Sequence, residues 1–480
     1  MKIEWRQQIL HSSQKKNHNM SQQENKTFQE INESYTMLEA IAEAQRCLHC
    51  KVPQCKKGCP ISNDIPDWIH ELRKGNLGNA ISIIRAKSNL PAVCGRVCAH
   101  EKQCEGNCVL GKKGQAVNIG KLERFVADFD SENGLTHEDV VEKTRGKVAV
   151  IGAGPSGITV AGDLSRMGFA VEMFEMEKQC GGVLRYGIPE YRLPKEVVAR
   201  EIRHIEKMGV VIHRNTHVGV EITVDSLFAQ GFDAIFIGTG LSKPKSLEIP
   251  IWQNGKCLSE GEAGLRCSDL RRVRLATHFL RRVELIQEGF VRREELPVDE
   301  GAKVWVVGCG NTAMDASRTA LRIGASQVHV IYNRGIDTMS ALRAEYDDAV
   351  REGVRFNWWS AITEIHVDEQ LDITEIVLET SEPDQEPARQ TLPASNIIFA
   401  IGATPATKIV RTTSGLDNDE HNFLITRDKP YGMTTRKGVF AGGDVVGRQA
   451  TVVHAMQDAK KVAEGIAQYV DAIKLLAAIS

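Results

Sequence analysis

The sequence predicts an α/β protein of two doubly wound, parallel-sheet domains, the second inserted in the first, preceded by a small helical domain. Three observations predict it. Two strand–glycine–helix units lie far apart in the chain, and a strand ending in Gly-Gly-Asp, followed by a helix, closes it near the C-terminus. Ahead of them, eight of the twelve cysteines fall between Cys47 and Cys108.

Composition fits this reading. A chain of 480 residues suffices for two or three domains. With 42% hydrophobic residues, 25% charged and a net charge of −2, nothing pulls it toward nucleic acid or a membrane surface. It has no apolar run long enough to span a bilayer and no signal-peptide core, so a cytoplasmic location is expected. Reducing conditions there disfavour structural disulfides, and the cysteines need another role. Residues 1–35, polar and rich in Gln, Asn, Ser and Lys, read as a mobile tail, with Met20 as an alternative start.

The cysteines form two groups, Cys47-x-x-Cys50-x-x-x-x-Cys55-x-x-x-Cys59-Pro60, then Cys94-x-x-x-Cys98 and Cys104-x-x-x-Cys108. A cubane needs thiolates converging from several directions: a short loop supplies two or three, and a distant cysteine closes the site. A run ending in Cys-Pro is typical of bacterial ferredoxins. Two four-cysteine zinc sites compete with this reading. Zinc favours paired Cys-x-x-Cys knuckles, however, and only Cys47 and Cys50 have that spacing. Iron–sulfur clusters are the expected occupants. Helical stretches at 64–73 and 79–87 complete a domain over 36–144.

At 147–157 a buried strand runs into Gly152-x-Gly154-x-x-Gly157 and an amphipathic helix. Such glycines permit a tight turn and close backbone approach, so that a pyrophosphate sits on the helix N-terminus. A second strand, 170–174, ends at Glu175, about 20 residues on, where a ribose-binding acid belongs. These are Rossmann-like features. The pattern recurs at 303–313, with Gly308, Gly310, Asn311, Thr312 and, at the third small position, Ala313. Its next strand, 328–332, ends in Asn333-Arg334 without an acid. An arginine there accommodates a 2′-phosphate, which favours NADPH over NADH. In Val439-Phe-Ala-Gly-Gly443-Asp444 the aspartate suits the ribityl chain of FAD, and Thr451 and Val452 open a helix whose N-terminus can face the flavin ring. The FAD domain is thus expected in two parts, 145–275 and 405–480, around an NAD(P)H domain at 276–404. Gly240 and Gly402, at two further glycine-rich strand ends, mark the crossings.

With these motifs in place, the chain resembles the small-subunit family of NADPH-dependent glutamate synthase. Relatives include the large subunit of ferredoxin:NADP⁺ transhydrogenase and the N-terminal half of dihydropyrimidine dehydrogenase. The likeness runs from about residue 36 to 467. It is carried by Arg46-Cys-Leu-His-Cys50, Cys94-Gly-Arg-Val-Cys98, Cys104-Glu-Gly-Asn-Cys-Val-Leu-Gly111, Asn311-Thr-Ala-Met-Asp315 and Ala441-Gly-Gly-Asp444. The resemblance implies two [4Fe–4S] clusters, one on Cys47, Cys50, Cys55 and Cys108, the other on Cys59, Cys98, Cys104 and Glu123. Cys94 is then a packed bystander. It also implies that Gly182, Leu184, Tyr186, Gly187 and Ile188 line the flavin. The chain departs from the family at Asn333-Arg334, where Arg-Arg is usual, and at Asp458, where glycine is common. The segment 252–274, with Arg266, Arg271, Arg272 and Arg274, has no counterpart and reads as a loop.

A nicotinamide delivers two electrons as hydride while cubanes carry one, and a flavin converts between them. No acid–base triad is needed, and none is visible. Disulfide reductases share these folds but need two close cysteines beside the flavin; Cys180 and Cys309 each stand alone. The expected activity is FAD-dependent NAD(P)H oxidation with FAD, NADPH and two clusters. The expected partner is a larger FMN and iron–sulfur subunit, as in glutamate synthase, giving a hetero-oligomer. Competing readings are a ferredoxin-linked NADP⁺ oxidoreductase, a subunit feeding a pyrimidine or sulfur acceptor, and a non-enzymatic scaffold, which would be colourless.

Overall fold

The computed structural model describes residues 27–136, 140–260, 264–447 and 450–479. The chain divides into two compact units: Glu30–Lys245 with Ile401–Ser480, and Ser246–Ala400 with Met1–Gln29.

The larger unit opens with helices α1 (Met37–Gln45), α2 (Ile65–Arg73), α3 (Leu77–Arg85), α4 (Pro91–Val97) and α5 (Ile119–Asn133). Local sequence explains their ends. Thr36 and Glu39 form a reciprocal capping box on α1, and Gly134, at φ 63°, stops α5 in the left-handed conformation. Apolar faces bury Trp68, Ile69 and Leu72 of α2 against Ile81 and Ile84 of α3. Between α4 and α5 the backbones nearly touch, since a Cβ at Gly95 would lie 2.5 Å from Arg124 N.

Strands β1 (Gly146–Ile151), β2 (Phe169–Phe174), β3 (Val211–His213) and β4 (Ala234–Ile237) follow, with helices α6 (Pro155–Arg166), α7 (Val183–Tyr186) and α8 (Lys195–Lys207). They run parallel in the order β4-β1-β2-β3. The cluster of helices and this layer share one core. Asn89, ahead of α4, donates to Asp163 Oδ1 of α6 at 2.8 Å. Arg85 of α3 bridges Asp130 of α5 and Glu201 of α8, each at 3.2 Å.

The inserted unit contains β5 (Ile251–Gln253), β6 (Lys256–Cys257), β7 (Val273–Leu275), helix α9 (Ala276–Gln287), β8 (Lys303–Val307), helix α10 (Asn311–Arg322), β9 (Gln327–Ile331), helix α11 (Arg343–Arg351), β10 (Arg355–Asn357), β11 (Ser360–Val367), β12 (Ile373–Thr380), β13 (Ala388–Pro393) and β14 (Asn396–Phe399). One sheet has the order β10-β9-β8-β14-β7 and is parallel; a second has the order β13-β12-β11-β5-β6. The segment 252–274 is therefore not a plain loop. Ile251 and Trp252 pair with Ile365 and His366, Val273 pairs with Ile397, and Arg271 and Arg272 both form ion pairs with Asp372, Arg272 also with Asp299. These strands belong to the insert, so its division from the larger unit falls at Ser246, ahead of 276. After Ala400 the larger unit resumes with β15 (Thr426–Asp428), β16 (Tyr431–Thr434), β17 (Val439–Ala441) and helix α12 (Val452–Ile479), and β17 pairs parallel with β4.

The expected mobile tail needs correction over 27–35. Residues 1–26 lie outside the described residues. Glu30 pairs with buried Arg96 at 2.9 Å, and Ile31 N donates to Tyr191 O at 3.0 Å. Within the insert, Arg322 Nε donates to Thr27 O at 3.1 Å. Polar composition signalled solvent, but these contacts satisfy buried arginines. Among the described residues no helix is long and apolar enough to cross a membrane.

Candidate functional site

Cys47, Cys50, Cys55 and Cys108 line one pocket, walled by Ile65, Ile69, Val117 and Ile119. The Cys47–Cys50 loop leaves α1, with His49 at φ 47° turning the chain, and Cys55 sits in the short helix Gln54–Gly58. His49 stacks on His70 at 4.7 Å and bonds Asp67 at 3.0 Å, as a polar loop residue. Cys59, Cys98 and Cys104 form a second group, each sensing the charge of Glu123. The close approach at Gly95 brings α5, and with it Glu123, against the end of α4 that carries Cys98. Cys94 is 2% exposed and its Sγ lies 3.7 Å from Met456 Sδ, so it packs against α12.

Burial pushes the thiols of Cys55 up to about 11 and of Cys59 to about 12. Cys98 is raised by its hydrogen bond to Cys94 and by burial, Cys104 by burial. Without metal these are neutral thiols, and binding releases their protons. Burial, with the Glu201 charge second, pushes Glu123 up to about 8. Among the described residues no three His, Cys, Asp or Glu side chains converge tightly enough for a single ion. Tetrahedral zinc, with bonds of ~2.3 Å, needs sulfurs only about 3.8 Å apart. A cubane, with iron at its corners, holds its ligands wider. Seven thiols, with the Glu123 carboxylate as an oxygen donor near three of them, are a donor set that suits iron–sulfur clusters.

The first glycine turn links β1 to α6. Gly152 has φ 96°, and a Cβ at Gly157 would lie 1.9 Å from Gly152 O, whereas one at Gly154 would meet nothing within 4 Å. The helix N-terminus is thus open to a phosphate. Glu175 accepts from Ala153 N at 2.8 Å, at the mouth of the turn, and burial raises its pKa. Gly182, at φ 54°, lies against Gly154 and begins α7, which carries Leu184 and Tyr186, followed by Gly187 and Ile188. Sequence reading missed Lys195, whose buried ammonium bonds the carbonyls of Leu184, Ile188 and Leu193 and fixes this turn. Its place at the first position of α8, directly after Pro194, gave no signal of burial in the sequence.

From the other part of the chain, Gly443 abuts Ser156 of α6: a Cβ there would come within 2.9 Å of Ser156 Cβ. Asp444 Oδ1 is buried with no hydrogen-bond partner, and burial pushes the carboxyl up to about 6. That orphaned acceptor suits a ribityl hydroxyl. Asp458, from which sequence alone drew nothing, accepts from Gly443 N at 2.8 Å and from Tyr431 Oη at 2.6 Å, so it holds the Gly-Gly-Asp turn. Thr451 accepts from His454 N at the start of α12, next to Val452. Gly240 and Gly402, at φ 63° and 96°, sit by the short ribbon pairing Lys243–Pro244 with Ala403–Thr404.

In the insert, Gly308 has φ 117° and turns β8 into α10. Gly310 caps that helix, Asn311 Oδ1 accepts from Leu342 N at 2.8 Å, Thr312 is exposed and Ala313 fully buried. Cys309 is 3% exposed, a small packed residue. Arg334, after β9, is exposed, and its guanidinium makes no ion pair among the described residues.

Residues 146–459 match the family "Pyridine nucleotide-disulphide oxidoreductase", and residues 24–135 match "Dihydroprymidine dehydrogenase domain II, 4Fe-4S cluster". The fold agrees with FprA of Mycobacterium tuberculosis in complex with NADPH, at TM-score 0.51 and 19% identity over 69% of this chain and 86% of that one. Fold and site define a flavin oxidoreductase of the pyridine-nucleotide class with an iron–sulfur domain. The glutamate synthase [NADPH] small chain of Halomonas elongata is 34% identical over 93% of this chain and 94% of its own; that of Escherichia coli is 32% identical over 92% and 94%. The chain belongs to the glutamate synthase small-chain family.

Proposed function

We propose that this chain is the electron-input subunit of an NADPH-dependent glutamate synthase, taking electrons from NADPH through FAD and two [4Fe–4S] clusters to a larger iron–sulfur partner. The observation that supports this is the gathering of Cys47, Cys50, Cys55 and Cys108 around one pocket and of Cys59, Cys98 and Cys104 near Glu123, in the unit that holds the first glycine turn and Asp444. FAD, when bound, supplies the change from paired to single electrons. The chain's own residues bind and orient. Gly152, Gly154 and Gly157 open the α6 N-terminus to the pyrophosphate, Glu175 faces the ribose, Asp444 accepts from the ribityl chain, and Lys195 holds the Leu184–Ile188 turn against the ring. Gly308, Gly310, Asn311, Thr312 and Ala313 receive NADPH, and Arg334 reads its 2′-phosphate.

The order of the clusters follows from α12. Gln457 donates to Pro60 O at 2.6 Å, and Met456 touches Cys94, so the helix that begins at the flavin turn also abuts the Glu123 set. The other set lies toward solvent. Leu48, Val52 and Val109 near its cysteines are 61%, 60% and 39% exposed, and exposed Lys51, Lys57, Lys112 and Lys113 flank those cysteines along the chain. An apolar centre with a basic rim suits a partner's acidic electron-acceptor surface.

The test is anaerobic co-purification with the chain encoded beside it, followed by NADPH-dependent glutamate formation. A brown flavoprotein that reduces dyes but makes no glutamate with that partner sinks the assignment. The dihydropyrimidine dehydrogenase domain matched over 24–135 favours one alternative acceptor, a pyrimidine. Pyrimidine reduction by the same complex would select it.

A further inference from the structure

The loop that follows β9 is held at both ends. At its far end Ala341 N and Ser340 Oγ donate to Cys309 O at 3.1 and 3.3 Å, and Leu342 N donates to Asn311 Oδ1. That end is therefore fixed to the glycine turn. At the near end Tyr332 Oη and Thr338 Oγ1 close the loop on itself, donating to Thr338 O and Gly335 O at 3.0 and 2.9 Å, and Trp359 holds the stretch that carries Arg334. Trp359 N donates to Arg334 O at 3.2 Å, and its indole lies so close to Gly335 that a Cβ there would fall 2.7 Å from Trp359 Cζ2.

Trp359 stands where the chain passes from β10 to β11, that is, from one sheet of the insert to the other. Its φ is 55°, in the left-handed region that suits glycine. A glycine would make this turn without strain, yet the largest side chain occupies it. Backbone strain of this kind persists where the surroundings over-determine it, often beside a binding site. Here the strain turns the indole back onto Gly335. Gly335 itself has φ −78°, so its smallness is demanded by the indole and not by its own backbone.

An exposed arginine recognises phosphate well only if its backbone is already placed, because ordering a long side chain and a loop together costs binding free energy. We propose that Trp359 is a positioning residue that fixes the Arg334 loop for the 2′-phosphate of NADPH, and so sets the preference for NADPH over NADH. This rests on the reading of Arg334 as the phosphate ligand. The ring touches no part of the dinucleotide in this scheme; it acts through Gly335 and the Arg334 carbonyl.

The experiment is calorimetric titration with 2′,5′-ADP, which carries the 2′-phosphate without nicotinamide, alongside KM values for NADPH and NADH. Wild type, Trp359→Gly, Trp359→Phe, Arg334→Ala and the Trp359→Gly/Arg334→Ala double variant are compared. Arg334→Ala should weaken 2′,5′-ADP by about tenfold, the loss of one charge-assisted contact. Trp359→Gly should approach that loss while the KM for NADH stays within about twofold. Trp359→Phe, which keeps an aromatic face, should restore most of the affinity, and the double variant should be little worse than Arg334→Ala. If Arg334→Ala weakens binding and Trp359→Gly does not, the proposal falls while the Arg334 reading stands. Equal losses for NADPH and NADH would reduce Trp359 to a structural role and also overturn it. If Arg334→Ala itself changes nothing, the reading falls and the proposal with it.

Discussion

At Asp444 an oxygen is buried with no partner, and the carboxyl is pushed up to about 6 from 3.8. For an acid raised in the folded state, stability is fully present below pH 3.8, declines as pH rises to about 6, and stays reduced above. Flavin-free Asp444→Asn should therefore be more stable than flavin-free wild type at pH 8, by about 1–2 kcal/mol after solvent screening, with no difference at pH 3.5. The same variant should hold FAD more weakly. Thermal melts across pH check the first part, and fluorescence of released flavin the second. Glu123 is the second residue to test. Glu123→Ala should lower iron from about eight to about four per chain, while Glu123→Gln, another oxygen donor, keeps it. Undiminished iron in Glu123→Ala would pass the fourth position to Cys94. Motif spacing made the cysteines and glycines legible. It concealed Lys195 and Asp458, because a buried charge looks like any surface charge until its partners are known.

Two elements depend on close packing that a single atom upsets. A Cβ at Gly95 would sit 2.5 Å from Arg124 N, so Gly95→Ala must push α4 from α5. The expected cost is about 1–3 kcal/mol, together with loss of the Glu123-set cluster and retention of the other, read by melting temperature and iron content. In the insert, α10 is tied to α11 and its end by charge: Arg318 and Arg322 bond Glu352 at 2.7 and 2.5 Å. Burial raises the Glu352 pKa, but Arg322 and Arg318 outweigh it and leave the carboxyl below its ordinary 4.5. Its contribution is present above pH 4.5 and is lost as pH falls through the lower folded value. Glu352→Gln should cost about 3 kcal/mol at pH 7 and flatten the acid limb of the melting profile. Helices α2, α3 and α6 were readable from the sequence, the last from the glycine turn that opens it. The three-residue strands β5 and β7 were not: too short for a pattern, they are strands only because residues far along the chain, Ile365 and Ile397, pair with them.

For the molecule as a whole, the sequence located both glycine turns and the split of the outer domain, since each rests on a local motif. It did not show how the cysteine segment joins the flavin turn. That join is made by α12, whose Met456 and Gln457 reach Cys94 and Pro60 across nearly the whole length of the chain. Under the proposed function, this contact implies a serial route in which the Glu123 set comes first and the Cys47 set second. Cys104→Ser should leave reduction of the flavin by NADPH intact and leave the remaining cluster oxidised on the timescale of turnover. Cys55→Ser should instead leave one cluster reducible by NADPH but abolish transfer to the partner. Low-temperature paramagnetic resonance after anaerobic mixing with NADPH separates the two. A Cys104→Ser protein whose other cluster is reduced as fast as in wild type would mean that electrons reach the Cys47 set directly, and α12 would lose its part in the path.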